Sequence, residues 1–584
     1  MKQQIENLIQ KTLKNLDLEV KNFSVEHPAD LAMGDYSTNV AMVSKTNPDI
    51  FKKELEKDLS KEFEKIEIKN GFINFYLSKD FFAESVGEIL ENKNFGGNDL
   101  LKGKKVMVEY TDPNPFKPFH IGHLMTNAIG ESIARLCEKS GAKVVRANYQ
   151  GDVGPHVAKA IYALMKDPLR FQHLPLNKGE EGGGEPVSVL AQFIGSCYVK
   201  GNEDYENDEN SKKEIDEINK KIYEKSDKEI NGIYDWGRKI TLEAFEEIYK
   251  VLDTKFDKYY FESEVAPIGL KIVEKNIDKV FEKSDGAIIF KAEKYDPKLH
   301  TRVFVNSKGL PTYETKELGL TLTKFEKENP DLSIIITAME QGEYMKVVQK
   351  SIGLVYPNLE NRMKHITHGM MRFASGKMSS RKGNVVTGES LIEDAIQVVL
   401  EKMKDRKFTE GPARNAFSIA DAGGGKKEVA AEVGVSALKY SILKQSIGGD
   451  IIYDFEKSIS FEGDSGPYLQ YSYARAKSIL EKAGGKRSDL KSLKRSDLEE
   501  PIEIEKLLYR FPEIVLRSAK EFEPHYIANY LIELARAFNG FYGNTQIINK
   551  DDPASPYKVA LTEAFSIIIK NGLYLLGIKA PERM

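Results

Sequence analysis

Four residues, His120 to His123 with the letters HIGH, lie between a strand-like and a helix-like pattern, and they constrain the fold most. Residues 104–111 alternate in the manner of a strand, and residues 124–139 space their apolar side chains at helical intervals. A second strand-like run covers 143–149. This order predicts a βαβ unit with two parallel strands, in which the helix N-terminus points toward the carboxyl ends of the strands.

The HIGH tetrad therefore falls in the first turn of a helix, where free amides and the helix dipole favour phosphate. Gly122 lets a base or ribose approach the backbone, and His120 and His123 can donate hydrogen bonds to phosphate oxygens. Two capping histidines in an ordinary α/β unit are the alternative. The tetrad alone leaves that alternative open.

A second loop, 375–384 with the letters SGKMSSRKGN, combines small residues with several cations. Lys377 and Arg381 supply positive charge for a leaving pyrophosphate, and the small residues allow movement. Alone, this loop would be a solvated basic surface segment. Together with HIGH, it favours an ATP site.

Composition excludes several classes of protein. The 584 residues are 41% hydrophobic and 30% charged, which indicates several globular domains. The sequence contains no uninterrupted run of about 18 apolar residues, so it predicts no membrane-spanning helix. Residues 1–16 resemble an amphipathic helix more than a secretory signal. We therefore expect a cytoplasmic protein. Cys137 and Cys197 have no metal-ligand spacing and are predicted to be packing residues, and a net charge of −4 is neutral on RNA binding.

The predicted fold class is α/β. A Rossmann-like parallel-sheet catalytic domain carries the HIGH and KMSSR elements, a small α+β domain precedes it and an all-α bundle follows it. The predicted boundaries are 1–100 for the first domain, 101–395 for the catalytic domain with an insertion at about 165–265, 396–430 for a connecting segment and 431–584 for the bundle.

HIGH paired with KMSSR resembles the signatures of class I aminoacyl-tRNA synthetases, and nearly the whole chain resembles the arginyl-tRNA synthetases among them. The resemblance rests on the segments VEYTDPNPFKPFHIGHL (108–124), NYQGDVG (148–154), LPTYETKELGL (310–320), GKMSSRKG (376–383), GPYLQYSYAR (466–475) and LGIKAPERM (576–584). It implies ATP and Mg²⁺ at the site, L-arginine and tRNA(Arg) as partners, and arginine activation that requires bound tRNA. We expect a monomer.

The same resemblance implies roles for individual residues. Lys117, His120, His123 and Lys377 would stabilise the α-phosphate, and Gly122, Ser379, Ser380 and Arg381 would contact the nucleotide. Glu109 and Asn114 would hold the α-amino end of arginine, Tyr313 and Glu317 would close on its guanidinium, and Gln341 is a further candidate. Carboxylates are the acceptors that a guanidinium needs, although an isolated Glu is by default a surface ion-pair partner.

Two positions depart from the usual patterns. Glu317 stands where the family often has Asp, so the pocket geometry is in question. Ser380 stands where the class I pattern has a second lysine, and loss of one transition-state donor typically costs about 2.7–4 kcal/mol. Lys117 can supply the missing cation, as in other members of the family. The role of Asp152, in the segment GDVG, is unassigned.

Contacts to tRNA are predicted in both end domains. Asn39 and Phe75 are candidates in the first domain, although Asn39 could form a turn or cap and aromatic residues in such a run more often pack in a core. The candidates in the bundle are Tyr468, Gln470, Tyr471, Arg475 and Met584, because rings and guanidinium planes suit unstacked bases. Helix packing is the alternative for one of the two tyrosines.

Three other functions fit parts of the sequence. A small-molecule nucleotidylyltransferase would use HIGH but needs neither end domain. A non-catalytic tRNA-binding protein would keep the end domains but lose the catalytic residues, which are present here. Another class I synthetase is the third alternative, and substitution of Glu109 or Glu317 in a charging assay would distinguish it, because only an arginine enzyme should lose selectivity for a guanidinium.

Overall fold

The protein was analysed as a computed structural model, which describes residues 1–166, 186–374, 386–405, 425–484 and 501–584. The N-terminal unit is a four-stranded antiparallel sheet of order β1-β2-β4-β3 with its helices. Its elements are α1 (Lys2–Asn15), β1 (Val25–Glu26), β2 (Tyr36–Thr38), α2 (Val40–Val43), α3 (Pro48–Glu56), β3 (Phe63–Lys69), β4 (Phe72–Leu77) and α4 (Lys79–Glu91). The amphipathic pattern of residues 1–16 is confirmed, because α1 buries Ile5, Ile9 and Leu13.

The catalytic unit is built on a five-stranded parallel sheet of order β12-β11-β5-β6-β7. The predicted βαβ unit is confirmed as β5 (Lys105–Glu109), α5 (Ile121–Lys139) and β6 (Lys143–Gln150). The sheet then continues with β7 (Lys258–Phe261), β11 (Leu332–Ala338) and β12 (Met363–His368). All five carboxyl ends therefore lie on one edge, where open α/β sheets bind ligands.

Two groups of elements interrupt this sheet. Helices α6 (Pro155–Lys166), α7 (Val187–Asn207), α8 (Glu209–Glu224) and α9 (Lys228–Val251) form the first, with a hydrophobic core of their own. The second follows α10 (Glu262–Lys275) and consists of the antiparallel strands β8 (Glu282–Ser284), β9 (Ala287–Phe290) and β10 (Arg302–Val305). The first group begins at Pro155 and ends at Val251, before β7, so it lies earlier in the chain than the predicted insertion at about 165–265, and the second group was not predicted.

The remaining catalytic elements are α11 (Tyr313–Glu328), α12 (Gly342–Val355), β13 (Met371–Phe373) and α13 (Gly388–Asp405). The bundle contains α14 (Lys426–Leu443), β14 (Ile451–Tyr453), α15 (Phe455–Ser458), α16 (Gly466–Lys482), α17 (Glu503–Leu508), α18 (Phe511–Glu521), α19 (His525–Asn544) and α20 (Ser555–Leu575). Both predicted boundaries of the connecting segment fall inside helices, the first in α13 and the second in α14. Because α13 and α14 pack on each other and on α5, they join the two units.

One hydrophobic core runs from the catalytic sheet into the bundle. It includes Val106 and Val108 of β5, Ile133 of α5 and Leu531 and Phe565 of the bundle. Cys137 belongs to this core and Cys197 to that of the insertion, which confirms both as packing residues. Over the described ranges, no helix combines the length and apolar character that crossing a membrane requires.

Candidate active site

The loop between β5 and α5 is held in an unusual backbone conformation. Thr111, Asp112 and Phe116 have positive φ values of 80°, 46° and 67°, and a non-glycine residue in such a region costs about 1–3 kcal/mol. The Asp112 carboxylate accepts a hydrogen bond from the Tyr149 amide at 2.7 Å, and Asn114 Oδ1 accepts one from the Gly151 amide at 2.9 Å. These bonds tie the loop to the end of β6 and fix the entry into α5.

The loop delivers two histidines to the N-terminus of α5. His120 is the N-cap residue, and its amide donates to Nδ1 of His123 at 3.1 Å. The two rings stack with their centroids 3.5 Å apart. Because His123 Nδ1 accepts this bond, the neutral ring carries its proton on Nε2. The sequence thus places an N–H donor beside the free amides of a helix N-terminus.

Positive charge and desolvation set the ionisation of this histidine turn. Desolvation, aided by Lys117 and His368, lowers the pKa of His120 to about 4, although the residue keeps an exposed edge. Burial, with His120 and Lys117, holds the pKa of His123 well below its usual value. Burial and Lys159 also lower the pKa of Lys117. Both rings are therefore neutral donors at pH 7, next to lysines that favour an anion.

The chain is anchored on both sides of the predicted KMSSR loop, and on the downstream side it is anchored to this turn. The Gly388 amide, at the start of α13, donates to Phe119 O at 2.8 Å, and a Cβ on Gly388 would lie 2.9 Å from His120 O. Upstream, β13 pairs with β14, and the Ala374 amide donates to Tyr453 O at 3.0 Å. The predicted residues of the loop itself, Lys377, Ser379, Ser380 and Arg381, lie outside the described residues.

Buried carboxylates cluster at the ends of β5 and β7, and together with the side chains around them they form the candidate pocket. Glu109, at the end of β5, accepts from Lys324 Nζ at 2.9 Å, and these side chains are 2% and 1% exposed. Glu262, which follows β7, accepts from Lys316 Nζ at 2.6 Å. Glu317 is half-buried beside them and makes no ion pair within the described parts of the chain.

The pocket contains more acid than its lysines neutralise. Burial and the neighbouring Glu109 raise the pKa of Glu317 to about 8. The same two causes raise the pKa of Asp112 well above its usual value, and burial raises the pKa of Glu262 despite Lys316. A cation that entered the pocket would relieve this repulsion. The predicted carboxylates Glu109 and Glu317 are thus brought together, with Glu262 as an unpredicted third.

Two tyrosines complete the pocket. Tyr313 is the first residue of α11 and is 59% exposed, with Lys316 Nζ at 4.9 Å from its ring centroid. Tyr149 was not predicted, although its segment 148–154 was singled out. Its buried hydroxyl has no hydrogen-bond partner among the described residues, and burial with Glu262 and Glu317 raises its pKa well above the usual value. Gln341 is exposed, one residue before α12, beyond the end of β11.

Comparisons with known proteins agree along the whole chain. The family described as "tRNA synthetases class I (R), catalytic domain" matches residues 85–455, "Arginyl tRNA synthetase N terminal domain" matches 3–77 and "DALR anticodon binding domain" matches 469–584. The arginine–tRNA ligase of Borrelia turicatae is 30% identical over 100% of this chain and 99% of its own length. The chain belongs to the arginyl-tRNA synthetase family.

A further relative and two solved structures of arginyl-tRNA synthetases are also similar to this chain over nearly its whole length. The arginine–tRNA ligase of Clostridium kluyveri is 32% identical, with 98% of each chain covered. Among solved structures, Thermus thermophilus arginyl-tRNA synthetase has a TM-score of 0.78 at 24% identity, covering 100% of both chains. The Plasmodium falciparum arginyl-tRNA synthetase has a TM-score of 0.76 at 20% identity, covering 100% of this chain and 99% of its own. These structures share the fold.

Two residues predicted to contact tRNA are buried, and the prediction is wrong for them. Phe75 is 0% exposed, because β4 lies inside the N-terminal sheet and its ring packs on Phe63. Phe72, on the same strand, is the exposed aromatic residue. Gln470 is also 0% exposed, since its amide donates to Lys579 O at 2.9 Å and holds the C-terminal segment.

The other predicted tRNA contacts keep accessible surface. The Arg475 guanidinium lies 4.7 Å from the ring of Tyr471 and 5.0 Å from that of Tyr542, which was not predicted. Tyr468 is half-buried, and its hydroxyl accepts from Asn539 at 2.8 Å, which agrees with the packing alternative for one tyrosine. Met584 packs partly on the bundle core. Asn39 accepts from the Ser24 amide at 2.8 Å and is half-buried.

Asp152 has a structural role. The side chain is 0% exposed and accepts from the Ser263 amide at 2.9 Å, from Arg238 Nε at 3.0 Å and from the Tyr234 hydroxyl at 3.2 Å. It therefore joins the end of β6 to α9 and α10. It thereby fixes the turn whose Gly151 amide bonds Asn114.

Proposed function

We propose that the protein is an ATP-dependent arginine–tRNA ligase. It activates L-arginine to arginyl-adenylate with release of pyrophosphate, and then transfers arginine to the 3′ end of its cognate tRNA. One observation carries this proposal: an acidic pocket that would favour a bound cation lies next to a histidine turn at a helix N-terminus. The chain that contains both matches the family over its full length.

In the first step, an oxygen of the arginine carboxylate attacks the α-phosphorus of ATP. The bond from that phosphorus to the bridging oxygen breaks, and pyrophosphate leaves with the electron pair. Negative charge spreads over the α-phosphate, where N–H donors of His120 and His123, free amides of α5 and Lys117 stabilise it. No protein nucleophile is needed. Lys377, Ser379, Ser380 and Arg381 are proposed to act on the phosphates from the second loop.

Lys117 supports the proposed compensation for Ser380. Its Nζ lies 5.1 Å from the ring centroid of Tyr198 on α7, and it lies close enough to His120 and His123 to lower their pKa values. It can therefore offer a cation to the phosphates from the side of the insertion. Gly122 leaves room for the His120 ring, because a Cβ there would lie 2.9 Å from it, and Gly122 is proposed to let the nucleotide approach the backbone.

Mg²⁺ is proposed to enter with ATP as part of the substrate. No group of three or more potential ligand side chains for a metal ion exists within the ranges that the structure covers. Mg²⁺ is commonly held by substrate phosphates, waters and one or two carboxylates, without a dedicated protein cage. The chain's own contribution is to orient the phosphates and the carboxylate of arginine.

Arginine is proposed to lie with its guanidinium against Glu317 and Tyr313 and its α-amino group near Glu109 and Asn114. Carboxylates accept the paired N–H donors of a guanidinium. Asn114 lies beside Glu262, since a Cβ on Gly151 would be 2.6 Å from Asn114 Oδ1 and 3.2 Å from the Glu262 carboxyl carbon. The unpartnered Tyr149 hydroxyl offers one further hydrogen bond to the substrate. Gln341 stays a weaker candidate.

The proposed tRNA surface spans both end domains. Phe72 replaces Phe75 as the candidate aromatic contact in the first domain. Asn39 stays a candidate there, and it lies a few residues before the exposed Met42 and Val43 in the sequence. In the bundle, the guanidinium of Arg475 lies near the rings of Tyr471 and Tyr542, and such rings and guanidinium planes suit unstacked bases. Met584 is proposed to lie near the anticodon loop. A monomeric state and a cytoplasmic location stay predictions.

Activation is proposed to require bound tRNA. The test is pyrophosphate exchange on the purified protein with each amino acid, with and without total tRNA. Exchange with arginine alone, and only when tRNA is added, is the expected result. Exchange with arginine in the absence of tRNA would overturn the tRNA requirement, and exchange with another amino acid or with none would overturn the ligase assignment.

A further inference from the structure

The rear half of α5, far from its histidine turn, is bonded to the end of the last helix of the chain. Ser132 Oγ donates to Leu575 O at 2.7 Å, and Arg135 Nη1 donates to Tyr574 O at 3.1 Å. Ser132 is 0% and Arg135 6% exposed. Tyr574 and Leu575 are the last residues of α20, so two buried side chains of α5 bond the carbonyls at this helix end, where a helix lacks its own donors. The Tyr574 carbonyl also accepts from the Gly577 amide at 2.9 Å.

Arg135 also reaches the end of the insertion. Its Nη2 donates to Asp253 O at 2.8 Å and to the Asp253 carboxylate at 3.0 Å, just after α9. Its Nε donates to Glu131 at 2.6 Å. A planar guanidinium with several fixed donors holds such an arrangement in one geometry, which a flexible ammonium does not.

Lys439 of α14 makes a second attachment to the same two ends of chain, those that follow α9 and α20. Its Nζ is fully buried and donates to Leu252 O at 2.6 Å and to Gly577 O at 2.8 Å. These carbonyls follow α9 and α20, where the helix dipoles favour a cation. The ends of two helices from different parts of the chain are therefore held by α5 and by its packing partner α14.

A helix transmits this attachment to its other end. Ser132 lies twelve residues from His120, a distance of about 18 Å along a helix that rises about 1.5 Å per residue. Most of α5 between them is buried. We infer that Ser132 and Arg135 are positioning residues, which set the place of His120 and His123 in the reaction by fixing α5 to the end of α20.

The attachment also connects to the proposed tRNA surface, and this part rests on the proposed function. After α20, the chain runs over α16, where Gln470 donates to Lys579 O at 2.9 Å and Lys477 lies 3.4 Å from Glu582. Helix α16 carries Tyr471 and Arg475. RNA bound there would stabilise one position of the C-terminal segment, and through α20 one position of the histidine turn.

The test compares Ser132→Ala and Arg135→Lys with the parent chain and with Thr562→Val. Thr562 is an equally buried hydroxyl on α20, but it bonds within its own helix, to Lys558 O at 3.0 Å. We measure arginine-dependent pyrophosphate exchange at saturating total tRNA, and hydrogen exchange of the amides of residues 121–126. Small displacements of reacting groups cost up to about 100-fold in rate.

We expect kcat to fall about 10- to 100-fold in Arg135→Lys and about 3- to 10-fold in Ser132→Ala. KM for arginine should change less than about twofold, because the arginine pocket is built on other elements. Amides of the histidine turn should exchange faster, and Thr562→Val should match the parent in both measurements. If Arg135→Lys does not fold, Ser132→Ala decides.

A kcat of Ser132→Ala within twofold of the parent, or an equal loss in Thr562→Val, would overturn the positioning role. The parent chain, assayed first with and without tRNA, tests the proposed function separately. Pyrophosphate exchange by the parent chain without tRNA would remove the link to RNA binding. The ratio of the variant kcat to the parent kcat would then still test the positioning role.

Discussion

The two halves of the active site are charged in opposite senses. On the nucleotide side, desolvation and nearby lysines lower the pKa of His120 to about 4 and also lower that of Lys117. On the arginine side, burial and neighbouring carboxylates raise the pKa of Glu317 to about 8 and also raise those of Asp112 and Glu262. A bound anion would relieve the repulsion on the first side and a bound cation that on the second, which agrees with the proposed places of ATP and arginine.

The arginine side depends most on its internal lysine. Lys324→Met would leave Glu109 without its counter-ion in a fully buried position, and we expect a loss of about 3–5 kcal/mol in the free energy of unfolding. Chemical denaturation measures this loss. Lys105→Met is the matched control on the opposite edge of the sheet, because Lys105 pairs with Glu328 nearer to solvent and should cost at most about 1 kcal/mol.

Added arginine should recover part of the stability lost in Lys324→Met, since its charge replaces the missing cation. Equal losses in Lys324→Met and Lys105→Met would show that the pocket tolerates its excess carboxylates. The repulsion among the carboxylates on the arginine side would then contribute nothing measurable to the free energy of unfolding.

The nucleotide side should respond in rate more than in affinity. His120→Ala removes one donor to the α-phosphate, and we expect kcat for arginine activation to fall about 10²–10³-fold, with KM for arginine nearly unchanged. Steady-state pyrophosphate exchange measures both constants. His525→Ala, in the bundle, is the control and should keep the parent kcat. A fall in arginine affinity as large as the fall in kcat would contradict the separation of the two halves.

Glu317→Gln tests the guanidinium contact alone. The change keeps the size of the side chain and removes its charge, and a hydrogen bond to a charged group contributes about 1.5–3 kcal/mol. We expect kcat/KM for arginine to fall roughly 10- to 150-fold while KM for ATP stays within about twofold. Glu343→Gln, on the exposed start of α12, is the control. An unchanged kcat/KM would move the guanidinium to another carboxylate of the pocket.

The smallest effect concerns pH. With a pKa of about 8, Glu317 is mostly protonated at pH 7 in the free protein, and a bound guanidinium favours its ionised form. Arginine binding at pH 7 should therefore release a proton, and affinity should rise about fivefold from pH 7 to pH 8. Calorimetry in buffers of different ionisation enthalpy measures this release. Proton uptake, or no exchange, would contradict the assignment, and Glu317→Gln should abolish the effect.

Local patterns in the sequence predicted the nucleotide half well. The strand, the HIGH turn and the helix are contiguous, so periodicity and a short motif sufficed to place His120 and His123 at the start of α5. The arginine half depends on ion pairs between distant residues, such as Lys324 with Glu109, and no local pattern reports them. Glu262, whose partner is Lys316, was missed for the same reason.

The tRNA contacts show where pattern reading failed. Along β4, Ile73, Phe75 and Leu77 share the face that is covered by the core, whereas Phe72 lies on the other face and is exposed. The sequence alone did not show which of the two faces is covered. Gln470 lies in a helix next to the accessible Tyr471, but a chain segment more than one hundred residues away covers it. Which side of α16 is covered depends on tertiary packing alone.

The hydrogen bond from the His120 amide to His123 Nδ1 has a consequence for mutational scanning. One imidazole both caps a helix and, in the proposed reaction, presents a donor to phosphate, so selection cannot improve the two properties separately. A scan of protein abundance should penalise substitutions at position 123 and largely spare position 120, while a scan of growth should penalise both. Residues of this double kind would be misassigned as purely structural if abundance were the only readout.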